Sequence, residues 1–362
     1  MEWIDLGIMA AKVGFVLVLL LQIPPIMVWV ERRGSALMQN RLGPNRFGPL
    51  GLLQSLADAI KFIFKEDRPP GSVRTFYWFI APMVAVVPAF MAFAAMPFAS
   101  SLTLPSGKEI QFQIAQLDVG ILYILAIGSL AVYSIIMAGW ASNSKYALFG
   151  SLRSTSQMIS YELSLGLSLV GVLMTFSTLQ LGEIVQLQSQ TLIHLGPVTI
   201  PKYGIFVQPL GFLIFLVSVF AETNRHPFDL PEGESELVAG FHLEYGAMKF
   251  ALFFLAEYVH MAMASCLIVT MYFGGYQLLP GMPALLNSLG LEGFSYDRAR
   301  IFFEFGSFST KVALFMWFFV WVRWTLPRFR YDQLMQLGWR VMLPLALVNI
   351  LITGYLVFEG VI

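Results

Sequence analysis

The sequence has 362 residues, of which 57% are hydrophobic and only 12% are charged, and its formal net charge at pH 7 is zero. A chain with so many apolar and so few charged residues suits the lipid bilayer better than water, and the composition therefore predicts an integral membrane protein. A net charge of zero does not indicate nucleic-acid binding. The one cysteine, Cys266, lies inside an apolar run, which excludes an internal disulfide, a Cys-x-x-Cys redox pair and a cysteine-ligated iron–sulfur cluster.

Eight apolar runs are long enough, at about 18 residues or more, to cross a bilayer as helices. They are residues 7–30, 76–97, 119–140, 155–176, 203–220, 248–273, 308–326 and 341–358. The first run lacks a basic leader and a cleavage site, so we interpret it as a retained span. The sequence predicts an all-α polytopic membrane protein, a bundle of eight transmembrane helices that forms a single membrane domain over residues 1–362.

The distribution of lysine and arginine predicts the orientation of this bundle. Most of them follow the first, third, fifth and seventh runs, and the loops that collect basic residues face the cytoplasm or matrix. Both termini are therefore predicted on the outer side, periplasmic or intermembrane, of a bacterial cytoplasmic or mitochondrial inner membrane. Lys12, Lys249 and Lys311 fall within or beside spans, where a lysine either snorkels to the interface or marks an ion path.

The segment between the fifth and sixth runs, AETNRHPFDLPEGESELVAGFHLEYG from Ala221, gathers carboxylates on the predicted inner side. Its acidic residues are Glu222, Asp229, Glu232, Glu234, Glu236 and Glu244. Acids before the sixth span could simply complement a helix dipole. Pro227 and Pro231 break any continuous helix, however, and favour a folded, cavity-lining loop whose clustered carboxylates raise one another's pKa and exchange protons.

Two further acids lie deeper, Glu162 in the fourth predicted span and Glu257 in the sixth. An ionisable residue within a span is a functional hypothesis by default, and both are candidates for a proton path. His260 follows Glu257 by three residues, and hydrogen-bonded packing is the preferred interpretation for it. No haem site is predicted, because only His260 sits clearly inside a span and a facing histidine partner is missing.

The first inner segment, ERRGSALMQNRLGPNRFGPLGLLQSLADAIK from Glu31, divides into two parts. A turn-rich loop carries Arg41 and Arg46 among glycines and prolines. The second part is an amphipathic helix, with Leu53, Leu56, Ile60 and Ile63 on one face and Gln54, Asp58, Lys61 and Lys65 on the other. Such a helix is either a surface anchor or the mouth of a site for a lipid-soluble ligand with a polar head.

These two inner segments closely resemble the signature segments of the H subunits of proton-pumping NADH:quinone oxidoreductase, respiratory complex I, and the resemblance extends over nearly the whole chain. Membrane subunits of related hydrogenases and of other donor:quinone complexes belong to the same family. The resemblance implies a translocase subunit in an NADH:ubiquinone or menaquinone reductase, without a redox centre or metal of its own. Quinone would be the substrate, while NADH, FMN and iron–sulfur clusters would sit in partner subunits.

The resemblance also implies roles for residues and partners. The quinone mouth and the contact with the peripheral-arm iron–sulfur and quinone-site subunits would use Glu31, Arg32, Arg33, Arg41, Arg46 and Asp58. The proton path would use Glu162, Glu222, Arg225, Asp229, Glu232, Glu234, Glu236, Glu244 and Glu257. Neighbouring small subunits, antiporter-like subunits and membrane lipids complete the expected partners, and nucleic acid is not among them.

Two other classes of protein are alternatives. A stand-alone, proton-coupled secondary transporter would also bury carboxylates, but the sequence shows no internal repeat and has a large charged inner loop. A purely structural anchor for iron–sulfur proteins would explain the arginine-rich loop and leave Glu162 and Glu257 without a role. Co-purification separates these alternatives, because a transporter should run alone or as a homo-oligomer.

Overall fold

A computed structural model describes residues 3–104, 107, 109–195, 198–229, 240–279, 282–288, 290 and 293–360. Within them the chain is almost entirely helical, and seven helical segments are long and apolar enough to cross a membrane. These seven are α1 (Trp3–Met38), α3 (Thr75–Ala92), α4 (Gly120–Ala141), α5 (Lys145–Phe176), α9 (Ala247–Tyr272), α11 (Phe294–Thr325) and the helical run Tyr331–Phe358. The predicted all-α polytopic membrane protein is confirmed at this level.

The remaining described helices are shorter. They are α2 (Gln54–Phe64), α6 (Leu181–Leu187), α7 (Gly204–Val207), α8 (Pro209–Glu222) and α10 (Met282–Ser288). The last run consists of α12 (Tyr331–Gln336), a π-helical turn (Leu337–Met342) and α13 (Leu343–Phe358). Two antiparallel hairpins pair β1 (Leu102–Thr103) with β2 (Glu109–Ile110), and β3 (Thr191–Leu195) with β4 (Val198–Pro201).

The fifth predicted span, residues 203–220, is a broken helix. The backbone leaves the helical region at Gln208 (φ −130°, ψ 57°), and Pro209 then opens α8 at a position that needs no N–H donor. With 14 residues, α8 is shorter than the roughly 20 residues that cross the hydrocarbon core alone. The structure therefore has seven long apolar helices within its described residues, and the eight-span bundle stays a prediction.

Several helices begin well before the apolar runs that predicted them. The helix predicted from residue 155 begins at Lys145, and the one predicted from residue 308 begins at Phe294. A hydropathy window stops at polar residues, whereas a helix continues through them because its backbone hydrogen bonds are internal to the segment. The predicted amphipathic helix is confirmed as α2, and Leu56, Ile60 and Ile63 on its apolar face are exposed.

The centre of the bundle is α9, whose residues from Met261 to Tyr272 are all buried. It packs against α1, α3 and α11, while α5 packs against α4, α8 and α13. Gly139 of α4 explains one close approach, since a Cβ there would overlap the side chain of Ser151 on α5. The bundle has two polar ends. The α2 end carries α2 and the segment after α8, and the hairpin end carries both β-hairpins.

Candidate functional site

A turn after α8 positions the first residue of the site. The left-handed conformation of Asn224 (φ 49°) ends the helix, and the Arg225 N–H then donates to the Phe220 carbonyl at 3.2 Å. Asparagine tolerates this conformation better than most side chains. The guanidinium of Arg225 is thereby directed into the bundle, where the residue is only 6% exposed.

A glutamine on α5 holds this turn in place. Gln157 is fully buried, and its Nε2 donates to the carbonyls of Ala221 and Phe228, each at 2.8 Å. The Oγ of Ser154, one turn earlier on α5, donates to Asn224 Oδ1 at 3.3 Å. Buried amides are costly without partners, so these bonds fix the turn against α5. Sequence reasoning overlooked Gln157, although an uncharged amide inside an apolar span was a visible signal.

Arg225 lies between two carboxylates from different helices. Its Nε is 3.0 Å from Glu257 Oε1 on α9, and its Nη1 is 3.8 Å from Glu31 Oε1 on α1. The guanidinium also lies 4.4 Å above the ring centroid of Tyr258, where a cation is attracted to the face of the ring. Arg225 thus connects Glu31, which belongs to the predicted quinone mouth, with Glu257, which belongs to the predicted proton path.

Glu31 has two further partners. Its carboxylate forms an ion pair with Arg323 from the last turn of α11, and the Tyr258 hydroxyl donates to its second oxygen at 2.5 Å. Glu31 is 8% exposed, so these contacts replace the water that a surface carboxylate would have. Removing one partner of a buried ion pair typically costs about 3–5 kcal/mol, because the other charge stays buried and uncompensated.

A third carboxylate, Asp229, completes the group. Arg328, from the segment after α11, approaches it with Nη2 at 3.2 Å from Oδ2. Burial raises the pKa of Asp229, and the Arg328 guanidinium opposes that rise. We call the whole group the ion cluster: Glu31, Asp229 and Glu257 with Arg225, Arg323 and Arg328. Its three carboxyl groups and three guanidinium groups balance in formal charge, which reduces the cost of placing them in one largely buried region.

A cavity of about 110 Å³ adjoins the ion cluster. Its walls are mostly apolar side chains of α3, α4, α5, α8 and α9, and its polar lining includes Glu222, Glu257, His242 and His260. Glu257 therefore belongs to both the cavity and the ion cluster. We call this space the acidic cavity. It is large enough to hold several water molecules, since about 10–15 Å³ of such space accommodates one.

Glu162 stands beside this cavity rather than in its lining. It is half-buried on α5 and close enough to Glu222 at the end of α8 for the two carboxylates to repel each other. Like charges held this close favour a state in which only one is ionised. The structure thus brings to one region Glu162 and Glu257, which the sequence placed in two different spans, and Glu222, which it placed in the segment between the fifth and sixth spans.

Two histidines at this site are held neutral. Burial lowers the pKa of His242, which lines the acidic cavity, to about 4, and its ring packs edge-on against Phe241 and Phe250. Burial also lowers the pKa of His226, helped by the nearby Arg328 and Arg323. Neither imidazole adds a positive charge near neutral pH, so the carboxylates and arginines set the local field.

The remaining acids of the predicted proton path are placed differently. Glu244 is half-buried, and its backbone carbonyl, rather than its carboxylate, accepts a bond from Trp78 Nε1 at 3.2 Å. Glu232, Glu234 and Glu236 lie outside the described residues, so the proposed clustering of these three stays a prediction.

The predicted mouth residues fasten α2 and its preceding loop to α1. Arg32 Nη1 lies 2.7 Å from Asp58 Oδ2, and Arg33 Nη1 donates to the Leu50 carbonyl at 2.9 Å. Arg41 donates to Gln39 at 2.7 Å, and Arg46 is exposed. Of this set only Glu31 enters the ion cluster, because it points into the bundle while its neighbours in sequence point outward.

The lysines near spans have distinct environments. Lys311 is buried and donates to the carbonyls of Phe273, Gly275 and Gln277 just beyond the end of α9, at 2.8–3.0 Å. It is a helix-end cap, which is neither of the two predicted roles. Lys249 forms an ion pair with Asp67 at the α2 end. Lys12 lies near the hairpin end, where its Nζ donates to the Gln113 carbonyl at 3.2 Å.

Three members of the ion cluster and its surroundings escaped sequence reasoning: Tyr258, Arg323 and Arg328. No local pattern marks Arg323, because its partner Glu31 lies 292 residues away in the chain. Among the described residues, no group of three or more His, Cys, Asp or Glu side chains is arranged to hold a metal ion.

Comparison with known proteins places these observations in one family. A family model described as NADH dehydrogenase matches residues 11–354. The H subunit of NADH-quinone oxidoreductase from Bdellovibrio bacteriovorus is 46% identical, with 98% of this chain and 97% of that protein covered. The corresponding protein of Thermomicrobium roseum is also 46% identical, over 100% of this chain and 99% of its own length. That of Salinibacter ruber is 47% identical over 93% and 92%.

Proposed function

The chain belongs to the family of NADH-quinone oxidoreductase H subunits, and from this premise we propose that it forms the membrane mouth of the quinone chamber and couples quinone reduction to proton translocation. It is a multi-pass membrane subunit of respiratory complex I, which sets aside the stand-alone transporter. The observation that carries the coupling role is the position of Arg225 between Glu31 and Glu257.

We propose that the α2 end faces the cytoplasm or matrix and that both termini face the opposite side. The basic residues around α2 support this orientation, since Lys and Arg collect on the inner side. The exposed apolar face of α2, with Leu56 and Ile60, then lies in the interface, where a quinone's tail stays in lipid while its polar head meets the arginine-rich loop. Peripheral-arm partners with NADH, FMN and iron–sulfur clusters would dock at this end, and antiporter-like subunits would follow along the membrane.

The coupling step works through shared counter-ions. Iron–sulfur clusters in a partner subunit would supply the electrons for quinone, and the reduced quinone would take up protons at the mouth. A change of charge there alters the ionisation of Glu31, and Arg225 then shifts its attraction toward Glu257 or away from it. Because Glu257 also lines the acidic cavity, the change reaches Glu222 and Glu162 as a change in their proton affinity.

A double-mutant cycle tests this step. Glu31→Gln and Glu257→Gln each remove a charge that Arg225 compensates, so their effects on protons translocated per quinone reduced should be non-additive in the assembled complex. Glu31→Gln combined with Glu183→Gln is the matched control, because Glu183 contacts Thr178 at the hairpin end. Additive losses in both pairs would refute coupling through Arg225.

The mouth is tested separately with Asp58→Ala and Arg46→Ala. Asp58 pairs with Arg32, and Arg46 is an exposed cation of the same segment, so both variants should raise the apparent KM for quinone while the complex still assembles. Glu66→Ala is the control, since its carboxylate is largely exposed and lies just beyond α2. Unchanged quinone affinity and inhibitor sensitivity in both variants would count against a mouth at α2.

A further inference from the structure

The acidic cavity extends along α9 well beyond its carboxylates. Its lining on this helix recurs every one to four residues from Phe253 to Leu267, which spans about 20 Å at 1.5 Å per residue. Glu257 is the last carboxylate on this lining, counted from the α2 end, and His260 lies one turn deeper. Past His260 the described lining of α9 is apolar: Met263, Ala264 and Leu267. His260 therefore stands between the charged part of the cavity and its apolar part.

A nitrogen of the His260 ring is buried without a hydrogen-bond partner. Among the described residues nothing bonds Nε2, so the hydrogen-bonded packing that the sequence suggested is not found at this atom. About 90% or more of buried polar groups have a partner, which is either protein or ordered water. Because His260 lines a cavity that has room for water, water can supply the missing bond to Nε2.

The spacing of Glu257 and His260 places them on one face of α9. Residues three apart on a helix are neighbours, with Cβ atoms about 5–6 Å apart, and both side chains line the same cavity. The carboxyl group and the imidazole are therefore within reach of each other through one water molecule, a distance over which protons are transferred. Arg225 binds Oε1 of Glu257 from the opposite side, at 3.0 Å, which links this pair to the ion cluster.

The other walls of the cavity offer no substitute for this imidazole. Glu222 and His242 are the remaining titratable residues of the described lining, and neither lies on α3, α4 or α5. The polar residue that α4 contributes there is Ser134, whose hydroxyl donates to the Ala131 carbonyl at 2.6 Å. A neutral imidazole has one N–H donor and one acceptor nitrogen, so it can accept a proton on one side and release a proton from the other.

We propose, on the basis of the coupling role proposed above, that His260 relays protons from Glu257 into the apolar part of the acidic cavity. The Glu257 carboxyl group gives its proton through water to one ring nitrogen, and the other nitrogen releases a proton to water on the far side. Glu222, in the same cavity, restores the proton of Glu257, and the ring returns to its first tautomer by exchange with water. Each cycle moves one proton past Glu257 and leaves every other bond unchanged.

The first test is His260→Gln in the assembled complex, reconstituted in vesicles. Glutamine keeps a neutral donor and acceptor in the cavity but cannot carry a proton at working pH. Protons translocated per quinone reduced should fall, and proton uptake should slow at least about tenfold, since a positioned proton-transfer group typically contributes about 10²–10⁴-fold. Met263→Leu is the matched control, because Met263 lines the same face one turn further on. Wild-type values in His260→Gln would overturn the proposal and leave His260 a packing residue.

A second variant, His260→Ala, separates a lost relay from lost packing. The truncation opens the position of the ring to a small base, so added imidazole should restore proton translocation as its concentration rises. Met263→Ala removes a side chain from the same cavity and should not respond to imidazole. An equal response of both variants, or no response of His260→Ala, would overturn the proposal.

Glu257→Gln distinguishes failure of this proposal from failure of the proposed function. If Glu257→Gln lowers the proton ratio while His260→Gln does not, coupling through Arg225 stands and the relay is wrong. If both variants translocate the normal number of protons per quinone reduced, the coupling role of the cavity fails as well.

Discussion

The two ends of the bundle both bury charged and polar side chains, but they satisfy them differently. At the hairpin end two buried side chains bond to the backbone: Lys311 caps three carbonyls, and fully buried Gln188 bonds the Thr270 carbonyl and two backbone N–H groups. The buried Glu304 there pairs with Arg300, whose guanidinium keeps its charge. At the α2 end the partners of Arg225 are ionisable. A backbone carbonyl cannot change its charge, whereas a carboxylate can. We therefore expect coupling where the partners of a buried charge can titrate, rather than wherever a charge is buried.

The strongest test of this comparison is Arg225→Ala. The variant leaves Glu31 and Glu257 without their shared cation, and losing one partner of a buried pair costs about 3–5 kcal/mol. Because Arg225 links the two carboxylates, we expect quinone-reductase activity to fall at least about tenfold, which corresponds to about 1.4 kcal/mol of lost transition-state stabilisation. Activity is measured per assembled complex, quantified by a partner subunit. Arg225→Lys keeps the charge and should retain part of the activity; equal loss in both variants would show that geometry, not charge, is essential.

At the hairpin end, Lys311→Met should damage stability and spare function. It removes three hydrogen bonds beyond the end of α9, and each buried carbonyl left without a partner costs about 1–3 kcal/mol. Less complex should assemble, and its thermal inactivation should be faster. Turnover and proton translocation of the complex that does form should match wild type. If the assembled fraction translocated fewer protons per quinone reduced than wild type, the proposed distinction between the two ends would be wrong.

A smaller and more selective effect is expected from Glu162→Gln. The substitution keeps shape but removes a carboxylate that repels Glu222, so quinone reduction should continue while protons translocated per quinone fall. Proton uptake in vesicles at matched quinone turnover is the measurement. Glu183→Gln at the hairpin end serves as the control carboxylate. If Glu162→Gln translocates the normal number of protons per quinone reduced, Glu162 has a packing role only.

The smallest effect is expected at neutral pH from His242→Phe. Burial depresses the pKa of His242 from 6.5 to about 4, so the unfolded chain takes up a proton that the folded protein refuses. Its contribution to stability is complete above about pH 6.5 and is lost as the pH falls toward 4. Turnover near neutral pH should be unchanged, while acid inactivation between these values should be weaker than in wild type. Identical acid inactivation would mean that His242 is not buried in the complex.

The sequence predicted much of the fold and many residues of the site, but not which of those residues contact one another. Long apolar runs gave the long helices because lipid requires internally bonded backbone. The break at Gln208 was missed because hydropathy averages over it. Glu31, Arg225 and Glu257 were recognised singly, whereas the contact between Glu31 and Arg323 joins positions 292 residues apart. No local pattern encodes such a pairing, and only packing of α1 against α11 brings it about.

The broken helix before α8 has a consequence for biosynthesis. The side chain of Gln208 bonds Thr175 on α5, and Asn349 and Thr353 on α13, at 2.9–3.2 Å. Thr353 is synthesised 145 residues after Gln208, so until then this amide lies in the membrane with Thr175 but without its partners on α13. Nascent chains halted before α13 should therefore retain a loosely held α8 that is open to proteolysis or chaperones. The hydrogen bonds of Gln208 are therefore complete only after α13, the last helix, has been inserted.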